Sequence, residues 1–245
     1  MIKKNVLLVG CGGIGFRHLQ ALTLLNNRIE IDILEKKKLN QIIRDLITAN
    51  NRIKINYFNH IKKIKQNYDI IIFATTSRFT FNVFLETLKY SSTKNILFEK
   101  ITFSEIKQYS LAKKLLIKHK INAWVNCSNR YQNWVKYVKK NLKLVNKFNL
   151  VCEGQNDNLI SNFVHYFDLF NYLSNEKRGK LISLNLYRLY KSKRKTYFDS
   201  EGEGIVTNKK KNTLTYNNKI TKGKKFQINY SFFQKKKKIY KHKIK

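Results

Sequence analysis

The chain has 245 residues, 42% of them hydrophobic, and a formal net charge of +35. That length holds two modest domains with a sizeable core, and that hydrophobic share excludes a disordered chain. No apolar run reaches the length of a membrane span, and Cys11, Cys127 and Cys152 are spaced as no metal site requires.

Val6 to Val9 reads as a buried strand and runs into Gly10-x-Gly12-x-x-Gly15, after which an amphipathic segment continues to about Leu25. This is the order of a dinucleotide-binding turn. Gly10 allows the tight turn, Gly12 lets a pyrophosphate approach the backbone, and Gly15 lets helix and strand pack closely. The helix N-terminus adds free N–H groups and a positive dipole end, framed by Gly13 and Ile14. Lys3-Lys4 before this apolar stretch also resembles a secretory signal. Its apolar core is too short for one, so a cytoplasmic protein with reduced thiols is expected.

Ile29 to Leu34 reads as a second strand ending at Glu35, where an acid accepts hydrogen bonds from a ribose diol. The competing reading of the glycines is a tight turn that binds no nucleotide. The spacing then predicts a helix over 39–50, a strand over 52–58, a short helix over 61–66 and a buried strand over 68–74. Helix 79–90, strand 95–98, helix 104–119 capped by Ser104, and strand 121–125 complete a doubly wound domain over 1–125.

The second half, 126–245, changes character. A helix is predicted over 130–142, a strand over 148–152 and an amphipathic helix over 161–173, with Phe163, Val164, Phe167, Phe170 and Leu173 as its apolar set. Short alternating strands follow at 181–190, 204–207, 213–216 and 226–233, which predicts a mostly antiparallel sheet.

Ligands of open α/β sheets bind beyond the carboxyl ends of the strands. Besides the glycine turn, three groups fall there or nearby. The hydroxyls of Thr75-Thr76-Ser77 can line a cofactor site, or Ser77 can simply cap a helix. Lys100, after Glu99, can hydrogen-bond a reacting oxygen, or the pair can be an ordinary surface pair. His165 and Asp168 share one helix face, and a neutral imidazole is a natural acceptor for an alcohol proton, or the two are a surface pair.

The charge invites a nucleic-acid reading. Yet Lys, Asn, Ile, Phe and Tyr, all with A/T-rich codons, are abundant while Pro is absent, so base composition is a competing cause. No recognition motif accompanies the lysines. The expectation is no specific nucleic-acid partner, only salt-sensitive adhesion to polyanions.

Taken in order, Gly10–Gly15 running into Arg17-His18-Leu19, Glu35, Thr75-Thr76, Glu99-Lys100 and His165-x-x-Asp168 resemble the glucose–fructose oxidoreductase/inositol dehydrogenase (Gfo/Idh/MocA) family. The resemblance implies a Rossmann domain followed by an open-sheet α/β domain, and hydride transfer between NAD, or NADP, and a sugar-type substrate. It implies that Lys100 polarises the reacting oxygen and His165 relays the proton. It also implies that Gly10, Gly12, Gly13, Ile14, Gly15, Arg17, Glu35, Thr75, Thr76 and Glu99 face the cofactor. Arg130, Ser161, Asn162 and Asp168 fall on the substrate side. Glu35 disfavours a 2′-phosphate, while Arg17 and Lys36-Lys37-Lys38 can hold one.

Two family positions differ: the proline after Glu-Lys is Ile101, and the aspartate four residues before the histidine is Ser161. Those departures, with Trp124-Val125-Asn126-Cys127 and Ser192-Lys193-Arg194, resemble a branch associated with bacterial surface-glycan clusters. Family members continue through further strands past a point like Phe233, whereas here a lysine run begins at Lys235. The expectation is a truncated open sheet with an exposed edge, through which the family dimerises, and a frameshift in A-rich codons. A dinucleotide-binding protein without turnover is the alternative those departures leave open.

Overall fold

Two periodicities organise the chain: central strands buried on both faces in the first half, such as Ile29–Leu34, and alternating strands in the second, such as Thr213–Lys219. The computed structural model describes residues 3–25, 29–50, 52–142, 147–192, 197–219, 227–234 and 237–244. Lys193, Arg194 and Phe226 lie outside the described residues. Contacts divide the chain into two units, Met1–Asn126 and Cys127–Lys245. Among the described residues no helix is long and apolar enough to cross a membrane.

The first unit runs β1 (Lys4–Val9), α1 (Gly13–Thr23), β2 (Ile29–Leu34), α2 (Gln41–Ala49), β3 (Lys54–Phe58), β4 (Asn67–Tyr68), β5 (Ile70–Phe73), α3 (Ser77–Tyr90), β6 (Ser92–Thr93), β7 (Asn95–Phe98), α4 (Ile106–Lys118) and β8 (Asn122–Val125). Six strands form one parallel sheet in the order β3-β2-β1-β5-β7-β8. This is the doubly wound order, with its reversal between β1 and β5. Alternate residues of β1 feed opposite layers. Leu7 and Val9 join Phe73, Phe84, Phe98 and Phe103 on one face. Val6 and Leu8 join Leu19, Ile31, Ile33 and Ile43 on the other. Phe73 stacks on Phe98 at 5.2 Å and meets Phe84 edge-on at 5.9 Å, geometries that ring quadrupoles favour.

Local expectations are corrected in three places. The helix expected over 61–66 is a single 3-10 turn, Ile61–Lys63. The strand expected over 68–74 splits, because Asn67–Tyr68 pairs with Ser92–Thr93 in a separate two-stranded sheet. Glu105, not Ser104, stands at the N-cap of α4, and Gln108 accepts its N–H at 3.3 Å, one half of a capping box.

Strand β2 carries two buried acids, Glu30 and Asp32. Glu30 is reached by Lys65 at 2.7 Å and by Lys54 at 3.3 Å, with Lys3 closing a third side. Asn56 donates to both carboxylates, and the Tyr68 hydroxyl donates to Asp32 at 2.7 Å. Hydrogen bonds from Lys3, then Lys65, hold the Glu30 carboxyl well below its ordinary value of 4.5 against the opposing effect of burial. A depressed folded-state pKa contributes stability that is complete above the unfolded value and is lost as pH falls below it. The melting temperature should therefore drop as pH falls below about 4.5. Glu30→Gln should flatten that acid limb and cost roughly 1–2 kcal/mol at neutral pH, a modest figure because the lysines stand partly in solvent. Melting curves from pH 7 to pH 2 check both; an unchanged acid limb in Glu30→Gln would remove Glu30 from the account.

The second unit runs α5 (Asn133–Leu142), β9 (Asn149–Gln155), α6 (Leu159–Ser174), β10 (Gly179–Lys191), β11 (Phe198–Asn208), β12 (Thr213–Lys219), β13 (Gln227–Gln234) and β14 (Lys237–Ile244). The helix expected from Arg130 begins at Asn133, after a 3-10 turn at Ser128–Tyr131. The sheet order is β10-β11-β12-β9-β13-β14, antiparallel except for β12 beside β9. The buried side of α6 is Tyr166, Leu169, Phe170 and Leu173, over Leu150, Cys152 and Tyr216 of the sheet. Phe163 and Phe167 pack only partly buried against that core, which corrects the expected apolar set. The lysine-rich end is itself a strand, β14. There His242 stacks on Trp134 at 4.6 Å and Tyr240 meets Phe232 at 5.9 Å.

Candidate functional site

Each strand of the first unit's sheet hands its chain to the next residue at one level. Gly10 N–H donates to Leu34 O at 2.9 Å, Glu35 N–H to Phe58 O at 3.0 Å, Glu99 N–H to Phe73 O at 2.9 Å and Asn126 N–H to Phe98 O at 2.8 Å. Gly10, Glu35, Glu99 and Asn126 therefore stand in a row at the carboxyl edge of the sheet, the edge that binds ligands in open α/β folds.

The glycines of the turn do different work. Gly10 has φ +87°, a left-handed conformation that favours glycine, and a Cβ there would sit 2.9 Å from Thr75 Cγ2. A Cβ on Gly15 would sit 2.1 Å from the Gly10 carbonyl oxygen, so only glycine lets α1 cross β1 this closely. Gly12 and Gly13 differ, because a Cβ on either meets nothing within 4 Å. Gly12 is extended (φ −73°, ψ −160°), a conformation open to any residue. The fold itself does not require glycine there. What the bare backbone leaves is a clear approach to the first N–H groups of α1.

Glu35 sits against this turn. Its Oε2 accepts the Cys11 N–H at 3.0 Å and its Oε1 accepts the Lys37 N–H at 3.1 Å. A carboxylate has about four acceptor positions, so it keeps capacity for a ligand hydroxyl. Burial first, then the Glu35 charge, pushes the Cys11 thiol up to about 12, which keeps it an unreactive thiol. Ile14 and Arg17 are exposed, with Arg17 donating to Gln20 at 2.9 Å; Lys36, Lys37 and Lys38 are exposed beside Glu35. Thr75 lies against Gly10 and shares a hydrogen bond with Thr80 at 2.9 Å. Thr76, not Ser77, occupies the N-cap of α3, without a side-chain cap bond.

After β7, Lys100 is half-buried and its peptide bond to Ile101 is cis, at the position where the family carries proline. Glu99, expected at the cofactor, is buried. Its Oε1 receives His18 Nε2 at 2.6 Å and Asn126 Nδ2 at 2.7 Å. Burial opposes its charge, but the bonds from His18 and Asn126 outweigh this and hold the carboxyl below its ordinary value.

In the second unit, His165 is half-buried on α6. Asp168, one turn on, is gripped through both oxygens by Arg130, at 2.5 Å from Nε and again through its terminal nitrogen. Two residues expected on the substrate side are thus partners of each other. Ser161 donates to Asp199 of β11 at 2.6 Å, and that buried carboxylate also accepts the Ile160 N–H at 2.8 Å. Position 161 lacks the carboxylate that the resemblance leads one to expect, yet the Asp199 carboxylate from β11 meets it. Asn162 donates to the buried Asp157 at 2.8 Å, as does the Tyr216 hydroxyl at 2.6 Å. Sequence reading missed His18, Asn126, Asp157 and Asp199 as partners. Only His18, one turn beyond Gly15, carried a local sign.

Fold and turn together define a Rossmann-like parallel unit and a second unit built on a mostly antiparallel sheet. No protein-family model matches the sequence, and no curated protein matches it. Solved structures do. WlbA dehydrogenase of Bordetella pertussis, in complex with NADH and UDP-GlcNAcA, aligns over 99% of this chain and 78% of its own, with a TM-score of 0.77 at 15% identity. Myo-inositol dehydrogenase of Lactobacillus casei, in complex with NAD(H) and myo-inositol, aligns over 94% and 71%, with a TM-score of 0.71 at 16% identity. A super-repressor mutant of Gal80p from Saccharomyces cerevisiae aligns over 94% and 73%, with a TM-score of 0.70 at 13% identity. At these identities the likeness shows the fold, which is that of Gfo/Idh/MocA-type dehydrogenases.

Proposed function

We propose that this chain is an NAD-dependent oxidoreductase acting at a hydroxyl- or keto-bearing carbon of a sugar or nucleotide sugar, in surface polysaccharide biosynthesis. The observation that carries the reading is the turn at Gly12 and Gly13: bare where the fold has no need of bareness, over a helix N-terminus, with the Glu35 carboxylate at its rim. The neighbours bound to NAD(H) with inositol, or to NADH with a nucleotide sugar, point the same way.

Gly10 to Gly15 would hold the pyrophosphate and Glu35 the ribose diol; a carboxylate there repels a 2′-phosphate, which favours NAD over NADP. NAD supplies a hydride acceptor or donor. The Lys100 ammonium would hydrogen-bond the reacting oxygen and stabilise the negative charge that develops on it. His165 would accept the hydroxyl proton in oxidation and return it in reduction. The apolar side chains exposed along β10, among them Ile182, Leu184, Leu186 and Leu189, support a homo-oligomer formed through the second unit's sheet.

Thermal-shift titration with NAD, NADH, NADP and NADPH, followed by absorbance of the reduced nucleotide across a panel of nucleotide sugars and keto-sugars, tests this. Stabilisation by NAD or NADH with turnover of a panel member is the expected result. The fold shared with Gal80p motivates a second reading, a dinucleotide-binding protein without turnover. Stabilisation with no turnover across a broad panel would favour it.

A further inference from the structure

We propose that His18, Glu99 and Asn126 form a brace that ties the first turns of α1 to the backbone of Lys100, and that nucleotide affinity at the glycine turn depends on it. This rests on the dinucleotide reading above. Glu99 is 8% exposed, so its charge needs partners inside the protein. Both partners reach the same oxygen from different elements: His18 from α1 at 2.6 Å and Asn126 from the end of β8 at 2.7 Å. The main chain of Glu99 is held as well. Its N–H donates to Phe73 O at 2.9 Å, and its carbonyl accepts the Thr102 hydroxyl at 3.2 Å. The residue next along the chain is Lys100, so whatever fixes Glu99 fixes the start of that side chain.

The other end of the brace is the nucleotide turn. His18 lies one helical turn beyond Gly15. Leu19 beside it is fully buried against the sheet, and Phe16 N–H closes the first turn on Gly12 O at 2.7 Å. A rigid α1 presents its free N–H groups to a pyrophosphate in fixed directions. His18 and Asn126 are thus positioning residues. They touch no ligand in this scheme, and act by holding two strand ends and a helix start in one frame.

Stability and positioning separate in a double-mutant cycle. Removing one partner of a buried pair leaves the other unsatisfied, whereas removing both is close to neutral for folding. NADH fluorescence titrations and melting temperatures without nucleotide are measured for the full-length wild type, His18→Leu, Glu99→Leu and the double variant. The proposal expects each single variant to lose about tenfold in NADH affinity, the worth of one hydrogen bond to a charged group. It expects the double variant to recover part of its melting temperature, since Asn126 still lacks its acceptor there, but none of its affinity. His18→Gln, which keeps a donor, should stay within about threefold of wild type. If a leucine variant fails to fold, Asn126→Ser and His18→Gln carry the same comparison: Asn126→Ser should bind NADH more weakly than His18→Gln at matched melting temperature, and equal affinity would overturn the brace. Affinity that recovers together with stability in the double variant would reduce the cluster to packing. Wild-type protein that does not bind NADH overturns the dinucleotide reading itself, and is told apart because it appears before any variant is made.

Discussion

Lys100→Ala and His165→Ala should each lower turnover by about 10²–10⁴-fold while leaving NADH affinity nearly unchanged. The asymmetry follows from where each group would act. The glycine turn and Glu35 would contact the part of a dinucleotide that does not react, and so would set affinity. Lys100 would meet the substrate oxygen only as charge builds on it, and His165 would meet the hydroxyl proton only as it leaves. Interactions made chiefly in the transition state appear in kcat and not in binding. The measurement is a pair of curves per variant: NADH fluorescence titration, and steady-state turnover on whichever panel sugar the wild type accepts. Parallel losses in both curves would place these residues in the architecture of the protein and not in its chemistry.

Gly12→Val should weaken nucleotide binding far more than it weakens the fold. A side chain at position 12 meets no protein atom within 4 Å, and the backbone there is extended. Stability without nucleotide should fall by about 1 kcal/mol, the cost of valine at the N-cap of α1. The valine methyls would occupy the approach to the α1 N-terminus, so the affinity loss should be about 100-fold or more, as when a ligand can no longer reach its donors. Gly15→Val is the contrasting control: its Cβ would sit 2.1 Å from the Gly10 carbonyl oxygen, and that variant should fail to fold stably. Equal behaviour of the two variants would contradict the division of labour among the glycines.

Much of the first unit is legible from its residues because its signals are local. Ile29–Leu34 and Asn95–Phe98 emerge with the bounds read from the sequence, since strands covered on both faces are short apolar runs with sharp ends. Gly10, Gly15 and Glu35 are legible for a similar reason: each serves the turn within a few tens of residues. The second unit is harder. β14 hides in a lysine run because its stabilising contacts, His242 on Trp134 and Tyr240 on Phe232, are invisible along the chain. In α6 apolar residues occur all round, so periodicity alone does not separate buried Tyr166 and Leu169 from the half-buried Phe163 and Phe167. The partners of the site are long-range pairs: His18 lies 81 residues from Glu99, and Ser161 and Arg130 each lie 38 residues from the carboxylate they meet. No spacing rule reaches that far, so the His18 and Asn126 partners of Glu99 are invisible along the chain.

In the proposed function, the turn from Gly10 to Gly15 holds a dinucleotide. Thermal unfolding of the full-length protein with increasing NADH tests it most directly. At a concentration about 100 times the dissociation constant, binding to the folded state alone adds about 2.7 kcal/mol, a rise of roughly 5–10 °C for a chain of this size. The expected result is a saturable rise of that order in wild type and at most about one degree in Gly12→Val. No rise with NAD, NADH, NADP or NADPH, or an equal rise in both proteins, would contradict it.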